Sequence, residues 1–500
     1  MSNPTLYDIH KSFDCIQIKN KRNEIVYNGI KGEFSLRMIL FTNFILGKRC
    51  VAIFGSKSSG KSNIMSVVSS YALKPYYMDK ASEKADLRDD KINEFSHVIV
   101  PEINKINNNQ IEMLKDWGEN KASEYKYTDV TLRRPISISI DPKPFVTSLA
   151  DENDVKLGEE LLSRVTILTT DSSVNMNQDV IKDKLTKALN PLKKQKVDDD
   201  EAKRLQSYVK LLPDINEFTF VYPAGDEVIK AIPALFTDSR RDTDKFLYNT
   251  YAIALFHVWD RIKLEFGKKK ILFCTPADIW YNQIIYHDVL VQSSLKCSHL
   301  QKTILLILKE WASKNVSRPW MKINEIHKEL RHRNLPVSIS NIDGHIEHLY
   351  KNGYLFKARD GATNTYQIGD DDSFNFDFSV DWNRIVEACK RNIRDNYPQI
   401  ADEYIKRFCT APINVVHPYT GETIDITRYE ESKPQLKKVI TQQPQKTVTT
   451  NDYDKALFAM KVNKIMYTDD FIGLFSEPVL KQLLTNGEIF EDGEKIQYVD

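Results

Sequence analysis

Apolar positions in the first third of the chain fall in short runs separated by longer mixed stretches. Val51-Ala52-Ile53-Phe54, Tyr76-Tyr77-Met78, His97-Val98-Ile99-Val100, Phe145-Val146-Thr147-Ser148-Leu149-Ala150 and Val165-Thr166-Ile167-Leu168 are such runs. Short, β-branched-rich and bounded by polar residues, they predict buried strands. Between them, Phe34 to Leu46, Lys61 to Leu73, Gln110 to Trp117 and Leu157 to Ser163 carry helical spacing. Strands alternating with helices predict an α/β domain with a sheet of about five strands. Tyr125 to Val130 and Ile136 to Ile140 instead alternate with period two around Thr131-Leu132-Arg133-Arg134-Pro135. That pattern predicts a β-hairpin with Arg133 and Arg134 at its tip.

Beyond Asp171 the spacing turns helical. Glu201–Leu212, Gly225–Leu235, one long amphipathic helix over Asp242–Phe266, and Ala277–Val291 are expected. Leu300–Lys314, Ile323–Arg333 and Ser340–Lys351 predict three further helices, and Tyr354–Ile368 predicts a strand pair turning at Asp360-Gly361. Three helices and a wing read as a winged helix-turn-helix. Its third helix offers Asn341, His345, His348, Lys351 and Asn352 to DNA, and its wing offers Lys357 and Arg359. Trp382–Ile405 is helical in pattern, and Glu431–Asp452, rich in Lys, Gln, Thr and Pro, reads as a flexible linker. The last residues hold a helical stretch at Val479–Leu484 and a strand at Lys495–Val499, similar to the end of a second winged helix. The expected division is an N-terminal extension 1–34, an α/β core 35–172, a helical lid 173–295, a winged helix 296–370, a helical region 371–430, a linker 431–452 and a small C-terminal domain 453–500.

Composition narrows this picture. Hydrophobic residues make up 41% and charged residues 28%, an ordinary globular balance, and net charge is +1. No global field draws the chain to nucleic acid, so a nucleic-acid surface has to be a local patch. Six cysteines stand far apart with no C-x-x-C pair and no zinc-ligand spacing, which suggests free thiols in a reducing, cytoplasmic setting. No apolar run reaches the length that spans a bilayer.

The chemistry concentrates in Gly55-Ser56-Lys57-Ser58-Ser59-Gly60-Lys61-Ser62, a G-x-x-x-x-G-K-S sequence between a predicted strand and the helix opened by Asn63. Strand, glycine loop and helix in that order form a phosphate-binding P-loop. Gly55 and Gly60 let successive N–H groups face a phosphate, Lys61 reaches the β- and γ-phosphates, and Ser62 can ligate Mg²⁺. Glu102 ends the strand His97–Val100 and can act on an attacking water. Pro101 stands where an Asp customarily precedes that Glu. A polar residue after the next strand would sit beside the γ-phosphate. Asp151 is the first choice, with Thr147, Ser148 and Asn153 as rivals.

This ordered set resembles an AAA+ ATPase of the branch with a β-hairpin before its sensor-1 strand. Leu161-Leu162-Ser163-Arg164 is similar to the arginine-finger segment of the minichromosome maintenance (MCM) helicase family. Arg241, eleven residues before the A-x-A of Ala252-Ile253-Ala254, is similar to its sensor-2 arginine. The resemblance implies that Arg164 reaches a neighbouring subunit's γ-phosphate, and that Arg133 and Arg134 face a central channel. It further implies ATP with Mg²⁺, DNA as partner, and a homo-oligomeric ring such as a hexamer that unwinds or remodels DNA in replication. A second expectation is an ATP-switched DNA-binding or loading protein with slow hydrolysis, which Pro101 favours. A third is an AAA+ protein acting on proteins, with the winged helices as docking modules.

Overall fold

The computed structural model describes residues 3–19, 22, 25–55, 59–78, 90–129, 134–149, 158–171, 174–189, 199–230, 239–267, 269–294, 299–315, 318–333, 335, 337–351, 354–361, 363–369, 380–429, 465–467, 480, 483, 489–492 and 495–498. These fall into two compact units, Met1–Tyr429 and Glu430–Asp500.

At the centre of the first unit lies a five-stranded parallel sheet. In spatial order its strands are Pro75–Tyr77, His97–Val100, Phe145–Leu149, Val51–Phe54 and Thr166–Thr169. Val51–Phe54, His97–Val100 and Phe145–Leu149 are buried at every position, which explains why they read as continuous apolar runs instead of alternating ones. Phe145–Leu149 is hydrogen-bonded to both neighbours, with Val51 opposite Val146 and Val98 opposite Phe145. Helices Phe34–Ile39, Lys61–Ser69 and Asn108–Gly118 flank this core, and the last is closed by an Asn107/Gln110 capping box. The expected hairpin forms from Ser123–Asp129 and Arg134–Ile140.

The amino-terminal residues pack into the core of this unit. Helix Leu6–Ser12, capped by Thr5 and Asp8, buries Leu6, Ile9 and Phe13. Arg37 is fully buried beneath it. Its guanidinium holds Asp14 at 2.6 Å, donates to the Ile30 carbonyl at 3.1 Å and lies 2.9 Å from His10 Nε2.

The lid differs from the all-helical expectation. Helix Ser239–Phe256 stops ten residues before Phe266, and Lys263–Phe266 is a strand paired antiparallel with Lys269–Phe273 around Gly267. Phe218–Val221 adds a third, parallel strand. The apolar spacing of Phe256-His257-Val258-Trp259 continues the helical rhythm, but His257–Asp260 turns in a tighter coil and releases the chain into the sheet. The helix at Gly225 covers only Gly225–Val228; residues 231–238 lie outside the described residues. Helix Pro276–Ser294 packs on Ser239–Phe256 through a buried amide chain. Asn43 donates to Asn249 at 3.1 Å, and Asn249 to Asn282 at 2.6 Å.

Three helices follow, His299–Lys314, Ile323–His332 and Ile339–Lys351. They pack on a three-stranded antiparallel sheet ordered Met321–Lys322, Thr363–Ile368, Leu355–Asp360. The helical stretch after Trp382 divides at Tyr397 into Trp382–Asn396 and Pro398–Phe408, because Pro398 suits a first turn and not a helix interior. Within the second unit, Ile465–Tyr467, Lys495–Tyr498 and Ile489–Asp492 form an antiparallel sheet in that order, and Leu480 and Leu483 are buried. The expected linker 431–452 lies outside the described residues.

Candidate functional site

The loop at the carboxyl end of Val51–Phe54 is shaped by two glycines. Gly60 has φ +86°, the left-handed region that favours glycine, and from there helix Lys61–Ser69 starts. No side chain caps that helix start, so its first-turn N–H groups are available to an anion. Gly55 is required by packing. A Cβ there would lie 2.0 Å from Thr170 Oγ1 and 2.8 Å from Ser59 Oγ. Lys61 folds back along the loop, its ammonium donating to the Gly55 carbonyl at 2.6 Å and lying 3.4 Å from Ser59 Oγ. Partial burial lowers the Lys61 pKa. The uncapped helix start, the lysine and the glycine cradle fit a polyphosphate, and Ser62, exposed on the first turn, fits as a Mg²⁺ ligand. Ser56, Lys57 and Ser58 lie outside the described residues.

Two residues near this loop, Thr170 and Glu33, have no P-loop signature, and a third, Asn63, belongs to the expected nucleotide-binding set with Gly55–Ser62. Thr170 directly follows the strand beside Val51–Phe54, and its N–H donates to the Phe54 carbonyl at 2.9 Å. Its hydroxyl is buried with no hydrogen-bond partner. Strand register alone would have pointed to it. Asn63 donates to the Gly29 carbonyl at 2.7 Å and so ties the amino-terminal segment to the helix. Glu33, with φ +52°, accepts from the Asp171 N–H at 2.9 Å, and burial pushes its carboxyl up to about 8.

Glu102 leaves the strand two places across from Val51–Phe54 and is exposed, its carboxylate accepting from Lys105 at 2.9 Å. Between those two strands runs Phe145–Leu149. Ser148 donates from its hydroxyl to the Pro101 carbonyl, while Thr147 is fully buried with a hydroxyl that has no hydrogen-bond partner. Leu149 pairs with Phe54, so the chain leaves this strand level with Gly55. Asp151 and Asn153 follow there and lie outside the described residues.

Arg164 and Arg241 stand near one another around Ser163 and Glu119, level with the start of the central strand. Arg164 ends helix Gly158–Arg164, two residues before Thr166, which pairs with Val51 at the start of the central strand. The loop begins after Phe54, at the other end. Four strand residues separate the two levels by about 13 Å. The Arg164 guanidinium holds Glu119 at 2.6 Å and donates to the Lys115 carbonyl at 3.1 Å, at the carboxyl end of Asn108–Gly118. Gly118 makes room for it; a Cβ there would lie 3.2 Å from Arg164 Cβ. Arg241 is exposed and donates to the hydroxyl of Ser163, the neighbour of Arg164. Lys121 first, then Arg164 and Arg241, hold the Glu119 carboxyl below the usual carboxylate range.

The remaining candidates are scattered. Arg134 opens the second hairpin strand, and Arg133 lies outside the described residues. Lys351 and Lys357 share Glu347, at 4.0 and 3.3 Å, which offsets part of their charge. Arg359 is exposed on the strand Leu355–Asp360, and Asn352 lies outside the described residues. Among the described residues no group of three or more His, Cys, Asp or Glu side chains is placed to hold a metal, and no helix is long and apolar enough to cross a membrane. Comparison with models of known protein families finds no match, and comparison with curated proteins finds none either.

Proposed function

We propose that this chain is an oligomeric P-loop ATPase of the AAA+ type, resembling MCM helicases, that couples ATP hydrolysis to DNA unwinding or remodelling. The observation that carries the reading is the wiring of the sheet. The strand of Ser148 is inserted between the strand of Gly55 and the strand of Glu102, so loop, polar strand end and carboxylate line one edge. Arg164 and Arg241 cluster at the opposite edge, which supports service to a neighbour's nucleotide in a ring.

In this mechanism the loop N–H groups and Lys61 bind the phosphates, and Ser62 would hold Mg²⁺, which would supply neutralising charge there. Glu102 takes the proton of the attacking water, and the neighbour's Arg164 stabilises charge that develops on the transferred phosphoryl group. The Arg133/Arg134 hairpin and the winged helix of residues 296–370, with Lys351, Lys357 and Arg359, contact DNA. The test is ATP turnover with and without single-stranded DNA. Turnover stimulated by DNA, lost in Lys61→Ala and reduced about 10²-fold or more in Glu102→Gln is expected. Normal turnover by Glu102→Gln contradicts the mechanism.

A second reading is an ATP-switched DNA-binding or loading protein with slow hydrolysis. Pro101 favours it, since its carbonyl is engaged by Ser148 and it offers no carboxylate, and Glu102 is drawn to Lys105. ATP-dependent DNA retention with little turnover distinguishes it.

A further inference from the structure

At the edge of the sheet opposite the glycine loop lies a cavity of about 260 Å³. Lys48, Arg49 and Lys143 line it with Asp214, Trp117 and Tyr248. Three cations and one carboxylate line it, and the charge of Asp141, outside the lining, acts on Lys143. Lys48 is paired with Asp214, and the Arg49 guanidinium stacks 3.4 Å from the Tyr248 ring centroid with its Nε buried and without a hydrogen-bond partner. Lys143 donates to the Asn93 carbonyl at 3.0 Å. Burial lowers its ammonium pKa; the Asp141 charge opposes that shift and the Lys48 charge adds a smaller push in the same direction as burial. Like charges gathered in a recess repel one another, and an anion relieves that cost.

Two helix ends shape the recess. Lys48 and Asn120, both with positive φ, are the left-handed residues that close them: the Arg49 N–H bonds the Asn43 carbonyl and the Lys121 N–H bonds the Asp116 carbonyl.

We propose that this cavity is a second anion site, built to take a phosphoryl group carried either by a free nucleotide or by a nucleic-acid backbone. Its walls join the residue before the central strand, both roots of the hairpin at Asn120 and Pro142, and Tyr248 of the lid helix. Glu119, which holds Arg164, stands between the lining residues Trp117 and Asn120. A bound phosphoryl group therefore fixes hairpin, lid and arginine cluster relative to one another.

The test uses the full chain carrying Lys61→Ala, so that the glycine loop does not compete. Inorganic pyrophosphate is titrated by calorimetry. One saturable site is expected, weakened at least tenfold when Lys143→Gln or Lys48→Gln is added and unchanged when Lys406→Gln, an exposed lysine of helix Pro398–Phe408, is added. The same proteins are then titrated with ADP and with a labelled single-stranded oligonucleotide. A tenfold loss that extends to the oligonucleotide assigns the phosphoryl group to a nucleic-acid backbone, and a loss confined to pyrophosphate and ADP assigns it to a free nucleotide. Absence of saturable pyrophosphate binding, or equal binding with and without both lysine substitutions, overturns the proposal. Loss of ATP turnover in Lys61→Ala bears only on the glycine loop.

Discussion

Replacing Gly55 by Ala tests the loop architecture most sharply. The added methyl would stand 2.0 Å from Thr170 Oγ1, far inside the 3.5–4.0 Å at which such atoms attract. Thr170 cannot simply retreat, because its N–H is bonded to the Phe54 carbonyl at 2.9 Å. Overpacking of this kind costs about 1–3 kcal/mol. The strain falls on the residue that accepts from Lys61, so nucleotide affinity should fall by about tenfold or more, 1.4 kcal/mol per decade. Thr170→Ala removes the clashing hydroxyl. That hydroxyl is buried without a hydrogen-bond partner, so its loss should be neutral or mildly stabilising. In the double variant the Cβ of residue 170 stands 3.1 Å away and Ser59 Oγ, the movable end of a side chain, 2.8 Å away, so the relief is partial. The four proteins form a double-mutant cycle with an expected coupling of about 1–2 kcal/mol. The assays are the dissociation constant of a fluorescent ATP analogue and the thermal midpoint. Wild-type affinity in Gly55→Ala, or a double variant no better than the single, refutes the reasoning.

Two further predictions rest on buried charge. Asp278 is fully buried; burial alone would raise its pKa, but Arg261 at 2.5 Å and His257 overcome burial and hold the carboxyl well below the usual range. Asp278→Asn should therefore cost about 3–5 kcal/mol in chemical denaturation by leaving Arg261 uncompensated. The wild-type contribution should be complete above about pH 4 and decline below it, because the folded pKa is depressed. Glu33 has the opposite sign. With its carboxyl pushed up to about 8, the folded state keeps a proton that the unfolded chain loses. Its contribution is complete below the ordinary carboxylate range and is lost as pH rises through about 8. The wild-type decline in stability between pH 5 and 8 should exceed that of Glu33→Gln by up to about 1.4 kcal/mol per pH unit, and identical slopes refute it.

The five parallel strands were legible because each is short, apolar and bounded by polar residues, and the glycine loop because spacing and residue type are both prescribed. The over-extended lid helix shows the limit. Phe256-His257-Val258-Trp259 satisfies helical periodicity, and only pairing with Lys269–Phe273 and Phe218–Val221, distant in sequence, makes Lys263–Phe266 a strand. The buried Asn43, Asn249 and Asn282 chain and the buried Arg37 have no local signature, since their partners come from other elements. Thr170 was within reach, because the residue after a strand beside Val51–Phe54 must stand next to Gly55. That Arg241 bonds Ser163, the neighbour of Arg164, follows only from the packing of two helices far apart in the chain.

In the proposed ring, one chain's glycine loop is completed by another chain's Arg164. Lys61→Ala and Arg164→Ala proteins should each lose ATP turnover, the second by about 10³-fold, although removing its helix-end contacts costs only about 1 kcal/mol of stability. Mixed in equal amounts and allowed to exchange subunits, they form about a quarter of their sites with both residues intact, since each site draws its lysine and its arginine from different chains. The mixture should recover DNA-stimulated ATP turnover to that order. A mixture as inactive as its parents after verified exchange, or full turnover by Arg164→Ala alone, contradicts the proposed ring.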